Sequence, residues 1–216
     1  MGRVVLHTYF RSSTSYRVRI ALAMKGIAYE PVFHHLRLGK HREPGYLAVN
    51  PQGLVPTLEW SDGTVLSQSL AIMEFLDEMV PEPRLLPEDA RGRARVRMLS
   101  QMIACDIHPV NNLRILNALR SRFGADDAAV ADWFRTWVAE TFSPLEMLLA
   151  QSPETGRFCH GDAVTMADLC LVAQVANNGR FGVDMSPYPV ISRIHAAAME
   201  LPAFIAAAPQ NQPDAE

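Results

Sequence analysis

The sequence predicts an α/β N-terminal half followed by an all-helical C-terminal half. A strand pattern, a helical pattern and a second strand pattern follow one another within about 30 residues, which is typical of a βαβ unit with parallel strands. Prolines then crowd into the segment 81–89, and no strand pattern recurs after them. We therefore expect a domain boundary in this segment, with one domain over residues 1–83 and a second over residues 90–216.

The N-terminal half alternates between short β-rich runs and amphipathic helical runs. We predict, in chain order, a strand over 3–9, a helix over 15–25, a strand over 29–34, a hairpin of strands over 55–60 and 64–66, and a helix from Ser69. In this last helix the apolar residues at helical spacing, and therefore the expected buried face, are Ile72, Phe75, Leu76 and Met79.

The C-terminal half has helical patterns throughout. We predict helices over 89–123, 126–151, 165–178 and 190–200, with Val130, Phe134, Trp137 and Val138 facing inward on the second. Pro109 cannot donate a hydrogen bond to the Cys105 carbonyl, so the first helix should kink there. Thr165 and Asp168 have the spacing of a capping box. The polar tail 209–216 is expected to fray.

Composition and charge narrow the class of protein. The net charge of −3 argues against a nucleic-acid binder, which would carry a basic surplus. No apolar run approaches the roughly 18 residues of a membrane span, and the first residues lack the pattern of a signal peptide. Cys105, Cys159 and Cys170 are odd in number and widely spaced, which favours reduced thiols in a cytoplasmic protein.

A hydroxyl-rich loop, Arg11–Ser15, leads from the first predicted strand into the first predicted helix. Free backbone N–H groups at a helix N-terminus favour an anion, and the hydroxyls beside them could hydrogen-bond a thiolate or an oxyanion. Serine and threonine are also common helix caps, and this feature alone favours that structural role.

Two further features of the N-terminal half have a structural and a functional interpretation. Gln68 and Ser69 begin a helix, where they could cap it or bind a carboxylate or phosphate. Val55-Pro56 precedes a strand, and because only about 5–6% of such bonds are cis in folded proteins, trans is the default.

His34, His35 and His41 lack a fourth ligand at a recognised spacing, so we expect no metal site.

Polar residues also cluster around the expected kink in the C-terminal half. They are Asp106, His108, Asn111, Asn112 and Arg114. Such residues could satisfy carbonyls freed by the kink or could bind a ligand, and the sequence leaves both roles open. Arg180 follows an apparent helix end, where it could be a surface charge.

Several segments together resemble one family, the zeta class of glutathione transferases. The segment 11–22, RSSTSYRVRIAL, is similar to the zeta-class signature, usually S-S-C followed by R-V-R-I-A-L. Segments 50–58 and 66–69, NPQGLVPTL and LSQS, resemble the family's glutathione-binding strand and turn. Segments 105–114, 158–162 and 183–189 resemble bacterial maleylacetoacetate and maleylpyruvate isomerases.

The resemblance implies a glutathione transferase fold, with a thioredoxin-like N-terminal domain, an all-α C-terminal domain and a homodimer. It implies glutathione as the cofactor of a cis–trans isomerase that converts maleylacetoacetate to fumarylacetoacetate in aromatic amino-acid catabolism. The alternatives are a maleylpyruvate isomerase of the gentisate pathway and a transferase that conjugates α-halo acids. A non-catalytic binding module on the same fold is a third class, because fold does not dictate function.

The resemblance also assigns roles to residues. Ser12 should face the glutathione sulfur, with Arg11 and Thr14 as further catalytic residues, and the Val55-Pro56 bond should be cis. The residues expected to bind glutathione are Ser12, Ser13, Thr14, His41, Val55, Gln68, Ser69 and Asn112. The residues expected to bind the substrate are Arg11, Arg114 and Arg180. Two departures from the family matter, since Thr14 stands where the family has its cysteine and Gly179 where relatives often carry a second arginine.

Overall fold

The computed structural model describes residues 2–216, and they form two compact units. The first comprises the chain up to Leu85 together with Met199–Glu216, and the second comprises Leu86–Ala198. The change from one unit to the other at Leu85 lies inside the proline-rich segment. The expected domain limits differ from this division at the C-terminus, because the last 18 residues, Met199–Glu216, belong to the first unit.

The first unit is built on a four-stranded mixed sheet. Its strands are β1 (Val5–Thr8), β2 (Glu30–Phe33), β3 (Thr57–Glu59) and β4 (Val65–Ser67), in the order β2-β1-β3-β4. β1 and β2 are parallel, with Val5 opposite Glu30, which confirms the predicted βαβ unit. β3 pairs antiparallel with both β1 and β4, which confirms the predicted hairpin.

Three helices of this unit follow the strands along the chain. They are α1 (Ser13–Met24), α2 (Pro44–Val49) and α3 (Ser69–Met79). The expected buried face of α3 is partly wrong. Ile72 and Leu76 are buried as expected and Met73 joins them, whereas Met79 in the last turn is half exposed. Phe75 meets Trp60 edge-on, with ring centroids 5.3 Å apart.

The second unit is helical. Its helices are α4 (Ala90–Gln101), α5 (Leu113–Phe123), α6 (Asp127–Gln151), α7 (Met166–Gly179) and α8 (Pro189–Ala198). The long helix predicted over 89–123 is broken rather than kinked, because a π-helical segment, Met102–Ile107, and a turn separate α4 from α5. On α6 the inward prediction is wrong for Trp137, which is 36% exposed and packs edge-on against Trp133.

The C-terminal segment is attached to the first unit rather than frayed. It forms the short helix α9 (Pro202–Ala207) and a 3-10 turn, Pro209–Asn211. The Arg19 Nε atom of α1 donates to the Ala207 carbonyl at 3.0 Å, and the Tyr16 hydroxyl donates to the Phe204 carbonyl at 3.0 Å. Further on, Asp214 accepts a hydrogen bond of 3.0 Å from the Phe10 N–H. The last residues therefore brace the chain just before the hydroxyl-rich loop.

The cysteines of the described chain form no disulfide, and Cys159 and Cys170 are buried while Cys105 is exposed. Burial raises the pKa of the Cys159 thiol well above its usual value, which makes it a poor nucleophile at neutral pH. Within residues 2–216, we find no helix with the length and apolar character needed to cross a membrane.

A histidine cluster lies across the sheet of the first unit. His7 contacts the His34 ring nitrogen at 2.8 Å and the Glu59 carboxylate at 2.6 Å, and the His34 ring stacks on Tyr46 with centroids 3.9 Å apart. Burial, with a smaller contribution from the neighbouring His7 and His41, lowers the pKa of His34 to about 4. The folded protein therefore holds this ring neutral in mildly acidic solution.

We expect the protein to lose stability as the pH falls from about 6.5, the ordinary histidine pKa, towards about 4, the pKa of folded His34. The unfolded chain takes up this proton first, and acid therefore favours unfolding. Because His34 is partly exposed and solvent screens its charge, we expect a loss of about 1–2 kcal/mol. Urea unfolding across this pH range measures the effect. His34→Phe keeps a ring against Tyr46 and should flatten the slope, and an unchanged slope would contradict the prediction.

Candidate active site

The hydroxyl-rich loop forms a hydrogen-bonded chain at the start of α1. Ser12 caps this helix, because its side chain accepts from the Ser15 N–H at 3.1 Å. The Ser12 and Thr14 hydroxyl oxygens lie 2.8 Å apart, and Thr14 donates to the Val55 carbonyl at 3.0 Å. Because the one Thr14 proton goes to Val55, the Ser12 hydroxyl donates to Thr14. A ligand that displaces Thr14 as the acceptor would find this proton ready to donate.

The Val55-Pro56 peptide bond is cis, as the resemblance implies. The turn before it is held by Asn50, whose side-chain amide donates to the Leu54 carbonyl at 2.9 Å and to the Thr57 hydroxyl at 3.0 Å. The Tyr46 hydroxyl lies 2.8 Å from the same Thr57 oxygen. These buried contacts fix the loop, so that the Val55 backbone stands beside the hydroxyls of α1.

The start of α3 has an unusual backbone. Gln68 has φ 73° and is the sole non-glycine residue with a positive φ in residues 2–216. Such a conformation costs of order 1–3 kcal/mol and concentrates at functional sites. Gln68 forms no side-chain cap, and its amide instead donates to the Gln52 side chain at 3.0 Å. The N–H groups of the first turn of α3, which begins at the buried Ser69, are thus left available for an anion.

His41 lies in a 3-10 turn, Lys40–Arg42, beside the same loop. A Cβ atom at Gly53 would lie 3.0 Å from the His41 carbonyl oxygen, and Arg42 donates to the Gln52 carbonyl at 3.1 Å. Burial lowers the pKa of His41, and its Nδ1 is buried without a hydrogen-bond partner among the described residues. A neutral imidazole with an unused nitrogen is suited to a polar ligand.

Direct hydrogen bonds join three of the expected site residues of the first unit, Ser12, Thr14 and Val55, and neighbouring residues connect Gln68 and the His41 turn to the same loop. Thr14 connects α1 to the cis loop, Gln52 connects that loop to Gln68, and Arg42 connects it to the His41 turn. Arg11, expected in the same site, is half buried, and its guanidinium lies 4.9 Å from the centre of the Phe10 ring. Ser13, the remaining expected residue of this loop, is buried in the first turn of α1.

Two residues near this site were missed in the sequence. Gln52 lies in the predicted turn, and its neutral amide carried no signal there. Arg17 is 1% exposed, and its Nη1 donates to the Ser69 hydroxyl at 3.3 Å. Arg17 could have been found in the sequence, because it is a charged residue among the apolar residues Val18, Ile20 and Ala21 of a predicted helix. A buried charge there is costly unless it has a partner.

The second unit holds the other expected residues. Asn112 caps α5, accepting from the Arg114 N–H at 3.1 Å, and its amide lies 3.3 Å from His108 Nε2. Arg114 itself is exposed. Asn112 therefore has a structural role at the start of α5, and the exposed Arg114 guanidinium is able to contact a ligand.

Arg180 ends α7. Its side chain donates to the Asn177 side chain at 3.0 Å, and its guanidinium lies 5.6 Å from the centre of the Phe181 ring, which stacks on Phe134 of α6. Gly179, the preceding residue, is the last of α7, and no atom lies within 4 Å of the position of a Cβ there. The exposed Arg180 is thus held at a defined place rather than left mobile.

The arrangement in the first unit suits a ligand with two anionic ends. The α1 N-terminus offers hydroxyl donors, the α3 N-terminus offers N–H groups, and the Val55 carbonyl lies beside the α1 N-terminus, where it accepts from Thr14. The two helix ends have positive electrostatic character, which favours a thiolate at one and a carboxylate at the other.

Comparison with known proteins gives a consistent set of relatives. A family model, glutathione S-transferase N-terminal domain, matches residues 11–79. A maleylpyruvate isomerase of Ralstonia sp. is 50% identical, covering 97% of this chain and 98% of the relative. A maleylacetoacetate isomerase of Dictyostelium discoideum is 46% identical, covering 100% of this chain and 97% of the relative.

Solved structures agree with these relatives. A holo structure of maleyl pyruvate isomerase, described as a bacterial zeta-class glutathione S-transferase, has a TM-score of 0.96 at 50% identity, covering 98% of this chain and 100% of that one. A maleylacetoacetate isomerase of Methylobacterium extorquens AM1, solved with bound malonate and glutathione, has a TM-score of 0.92 at 42% identity, covering 98% of this chain and 99% of that one.

Proposed function

We propose that this chain, which belongs to the zeta class of glutathione transferases, is a glutathione-dependent cis–trans isomerase of maleylacetoacetate. The observation that carries the proposal is the chain of hydrogen bonds from Ser12 through Thr14 to Val55, beside the cis peptide bond. This chain holds a hydroxyl donor at a helix N-terminus, where a cofactor thiolate needs stabilisation.

The proposed chemistry needs no metal. The glutathione thiolate adds to one carbon of the cis double bond beside a ketone. A C–S bond forms, and the electron pair of the double bond moves to the ketone oxygen as an enolate. The former double bond is now single and rotates. The enolate then restores a trans double bond and expels the thiolate, which leaves glutathione unchanged as a true cofactor.

Each end of glutathione has proposed partners in the first unit. Ser12, Ser13 and Thr14 surround the sulfur, and the Val55 backbone pairs with the cysteinyl part. Gln68 and Ser69 hold the γ-glutamyl carboxylate at the α3 N-terminus, which suits an anion. His41 is a further proposed contact from the first unit, and Asn112, a residue of the second unit, is the remaining proposed contact to the cofactor.

The substrate carries a carboxylate at each end, and we propose that Arg11, Arg114 and Arg180 bind it. Arginine suits this role because its planar fork matches a carboxylate with two hydrogen bonds. The malonate bound to the Methylobacterium extorquens relative, itself a small dicarboxylate, supports this proposal. Arg11 directly precedes Ser12 in the chain, and its half-buried guanidinium lies over the Phe10 ring.

A side-by-side assay of two substrates, with glutathione far below substrate, tests the function. Maleylpyruvate is the alternative, because it differs by one methylene, worth about 1–3 kcal/mol in a pocket. The 50% identical relative is named for that substrate. We expect many turnovers of maleylacetoacetate per glutathione with no loss of thiol. Stoichiometric loss of thiol would indicate a conjugating transferase, for which α-halo acids are the substrates to assay.

We further propose that the enzyme is a homodimer in the cytoplasm, as the resemblance implies. The odd number and wide spacing of its cysteines are typical of a protein of a reducing compartment, which supports this proposal. Sedimentation equilibrium tests the dimer, and a single species of 24.0 kDa would contradict it.

Arg114→Ala and Arg180→Ala should each lower kcat/KM by about tenfold, or about 1.4 kcal/mol, while glutathione affinity changes little. The reason is that each variant removes a partner of a substrate carboxylate and leaves the cofactor contacts in place. Steady-state kinetics with separate titration of glutathione measures both quantities. Arg122→Ala, an exposed arginine on the same helix as Arg114, is the control. Full activity of Arg180→Ala would contradict its proposed role.

A further inference from the structure

Two buried arginines lie on the same helix, and their surroundings differ. Arg17 and Arg19 of α1 are each 1% exposed. Arg19 donates to the carbonyls of Ala207, Tyr9 and Phe10 and to the Thr8 hydroxyl, at 3.0–3.3 Å. Its hydrogen-bonding groups are used inside the protein, and it connects β1 to α9.

Arg17 is not satisfied in this way. Its Nη1 donates to the Ser69 hydroxyl at 3.3 Å, but its Nε and Nη2 are buried with no hydrogen-bond partner among residues 2–216. A buried charge without a full set of partners destabilises a protein by several kcal/mol. The folded unit therefore retains a positive charge that its described residues only partly stabilise.

The position of this charge is informative. Ser69 is the first residue of α3, it is 5% exposed, and it follows the strained Gln68. The helix N-terminus itself favours an anion, and the guanidinium behind Ser69 adds a full positive charge to the same place. A helix N-terminus without a side-chain cap and a buried cation without a full set of partners therefore lie at the same place, and both favour a negatively charged group there.

The hydrogen bond also sets the direction of the Ser69 hydroxyl. A guanidinium can only donate, so Ser69 accepts from Arg17 through a lone pair. The hydroxyl proton is then free to point away from Arg17, towards a group bound at the α3 N-terminus. Polarisation by the cation strengthens this donation, because hydrogen bonds in a chain reinforce one another.

We propose that Arg17 is a positioning residue for the cofactor's glutamyl carboxylate, acting through Ser69 as the buried counter-charge. This inference rests on the proposed placement of that carboxylate at Gln68 and Ser69. Arg17 itself does not touch the carboxylate. It orients the Ser69 proton and supplies the charge that the carboxylate neutralises, so part of the energy of binding comes from stabilising Arg17.

The test compares three thiol peptides. They are glutathione, 4-aminobutyryl-cysteinyl-glycine, which lacks the glutamyl carboxylate, and glutaryl-cysteinyl-glycine, which keeps the carboxylate but lacks the amino group. Calorimetry on the full-length protein gives the affinity of each. We expect the wild type to bind the two carboxylate peptides at least tenfold more tightly than the peptide that lacks it, which corresponds to about 1.4 kcal/mol.

Arg17→Met should reduce this tenfold ratio to threefold or less, because the carboxylate loses its counter-charge. Arg17→Lys should give an intermediate ratio, since it keeps the charge without the planar fork. Arg19→Met is the matched control, with Arg19→Lys in its place if the first variant does not fold. Either control should keep the wild-type ratio within twofold, although both should lower the melting temperature.

A second readout separates positioning from a structural role. Without ligand, Arg17→Met should melt at or above the wild-type temperature, because an apolar side chain replaces an under-satisfied buried charge. In protein that already carries Ser69→Ala, adding Arg17→Met should change the affinity ratio between peptides with and without the carboxylate by less than twofold, because the two residues act as one unit.

Three results would overturn the inference. The first is an unchanged tenfold ratio in Arg17→Met, and the second is a loss of apoprotein stability in Arg17→Met as large as in Arg19→Met. The third is that the wild type binds all three peptides equally. Glutathione would then still be the cofactor, but its glutamyl carboxylate would not contribute to binding. Failure of the wild type to bind any of the peptides would instead contradict the proposed function itself.

Discussion

Ser12→Ala should lower turnover by at least 100-fold, the largest loss we expect from a single hydroxyl in this protein. A free thiol with a pKa near 8.5 is only about 3% ionised at pH 7. Lowering that pKa by about two units requires roughly 2.7 kcal/mol in favour of the thiolate. A charge-assisted hydrogen bond contributes ~1.5–3 kcal/mol and a helix N-terminus ~0.3–1 kcal/mol, so Ser12 at the start of α1 is sufficient.

The structure adds a condition to this prediction. Ser12 donates to Thr14 while Thr14 donates to Val55, so the Ser12 proton must turn from Thr14 to the sulfur when glutathione binds. Thr14→Ala should therefore reduce turnover by less than Ser12→Ala, because it leaves the Ser12 proton in place. The thiolate absorbance of bound glutathione across pH measures the pKa directly, and it should weaken at neutral pH in Ser12→Ala.

The double variant Ser12→Ala, Thr14→Ala completes this experiment. If its activity matches that of Ser12→Ala, then Thr14 acts by orienting Ser12. If the double variant isomerises the substrate at the wild-type rate, this account of thiolate activation is wrong, although the enzyme would remain an isomerase. Thiol pKa values that do not move would contradict it equally.

Asp168→Ala should lower the free energy of unfolding by about 3–5 kcal/mol. Asp168 is fully buried and accepts hydrogen bonds from the Cys159 N–H at 2.8 Å, the Thr165 N–H at 2.7 Å and the Thr165 hydroxyl at 2.9 Å. Alanine would leave these donors buried and unsatisfied, at about 1–3 kcal/mol each before relaxation. It would also remove half of the capping box of α7.

Asp184→Ala provides the matched control for this effect. Asp184 also accepts two hydrogen bonds from Ser186, at 2.9 and 2.8 Å, but it is exposed, so water can replace them. Chemical denaturation at one pH should show a much smaller change for Asp184→Ala. If Asp168→Ala does not fold, Asp168→Asn tests the same prediction, because it keeps the size of the side chain but places an amide NH₂ group against N–H donors. A loss below about 1 kcal/mol for Asp168→Ala would contradict the prediction.

Sequence patterns were enough to predict the elements that are determined by residues close together in the chain. The βαβ unit, the hairpin over β3 and β4, and the capping box of Thr165 and Asp168 are present as predicted. Apolar periodicity and capping chemistry act over a few residues, so they can be read without the fold. The family and its cofactor were also identified in this way, from contiguous motifs such as residues 11–22.

Tertiary structure decided the features that depend on residues distant in sequence. The tail is attached because Arg19 donates to Ala207 and Phe10 donates to Asp214, which are 188 and 204 positions further along the chain. The helix predicted across Pro109 breaks instead of kinking, because proline removes a donor and the π-helical segment before it supplies different bonds. Trp137 is 36% exposed because it lies at the edge of the buried stripe of α6, beyond Val130, while Phe134 and Val138 lie nearer its centre.

The candidate site divides in the same way. Ser12, Gln68 and Ser69 could be named from the sequence, because each lies next to a predicted helix start where a polar side chain has a known use. The hydrogen bond from Arg17 to Ser69 could not, because it joins α1 to α3 across 52 residues of sequence. The positive φ of Gln68 could not either, because that conformation is uncommon for a non-glycine residue and the sequence pattern indicated an ordinary helix start there. A sequence pattern tells which side chains can donate or carry charge, and only the folded chain decides which of them are left without partners.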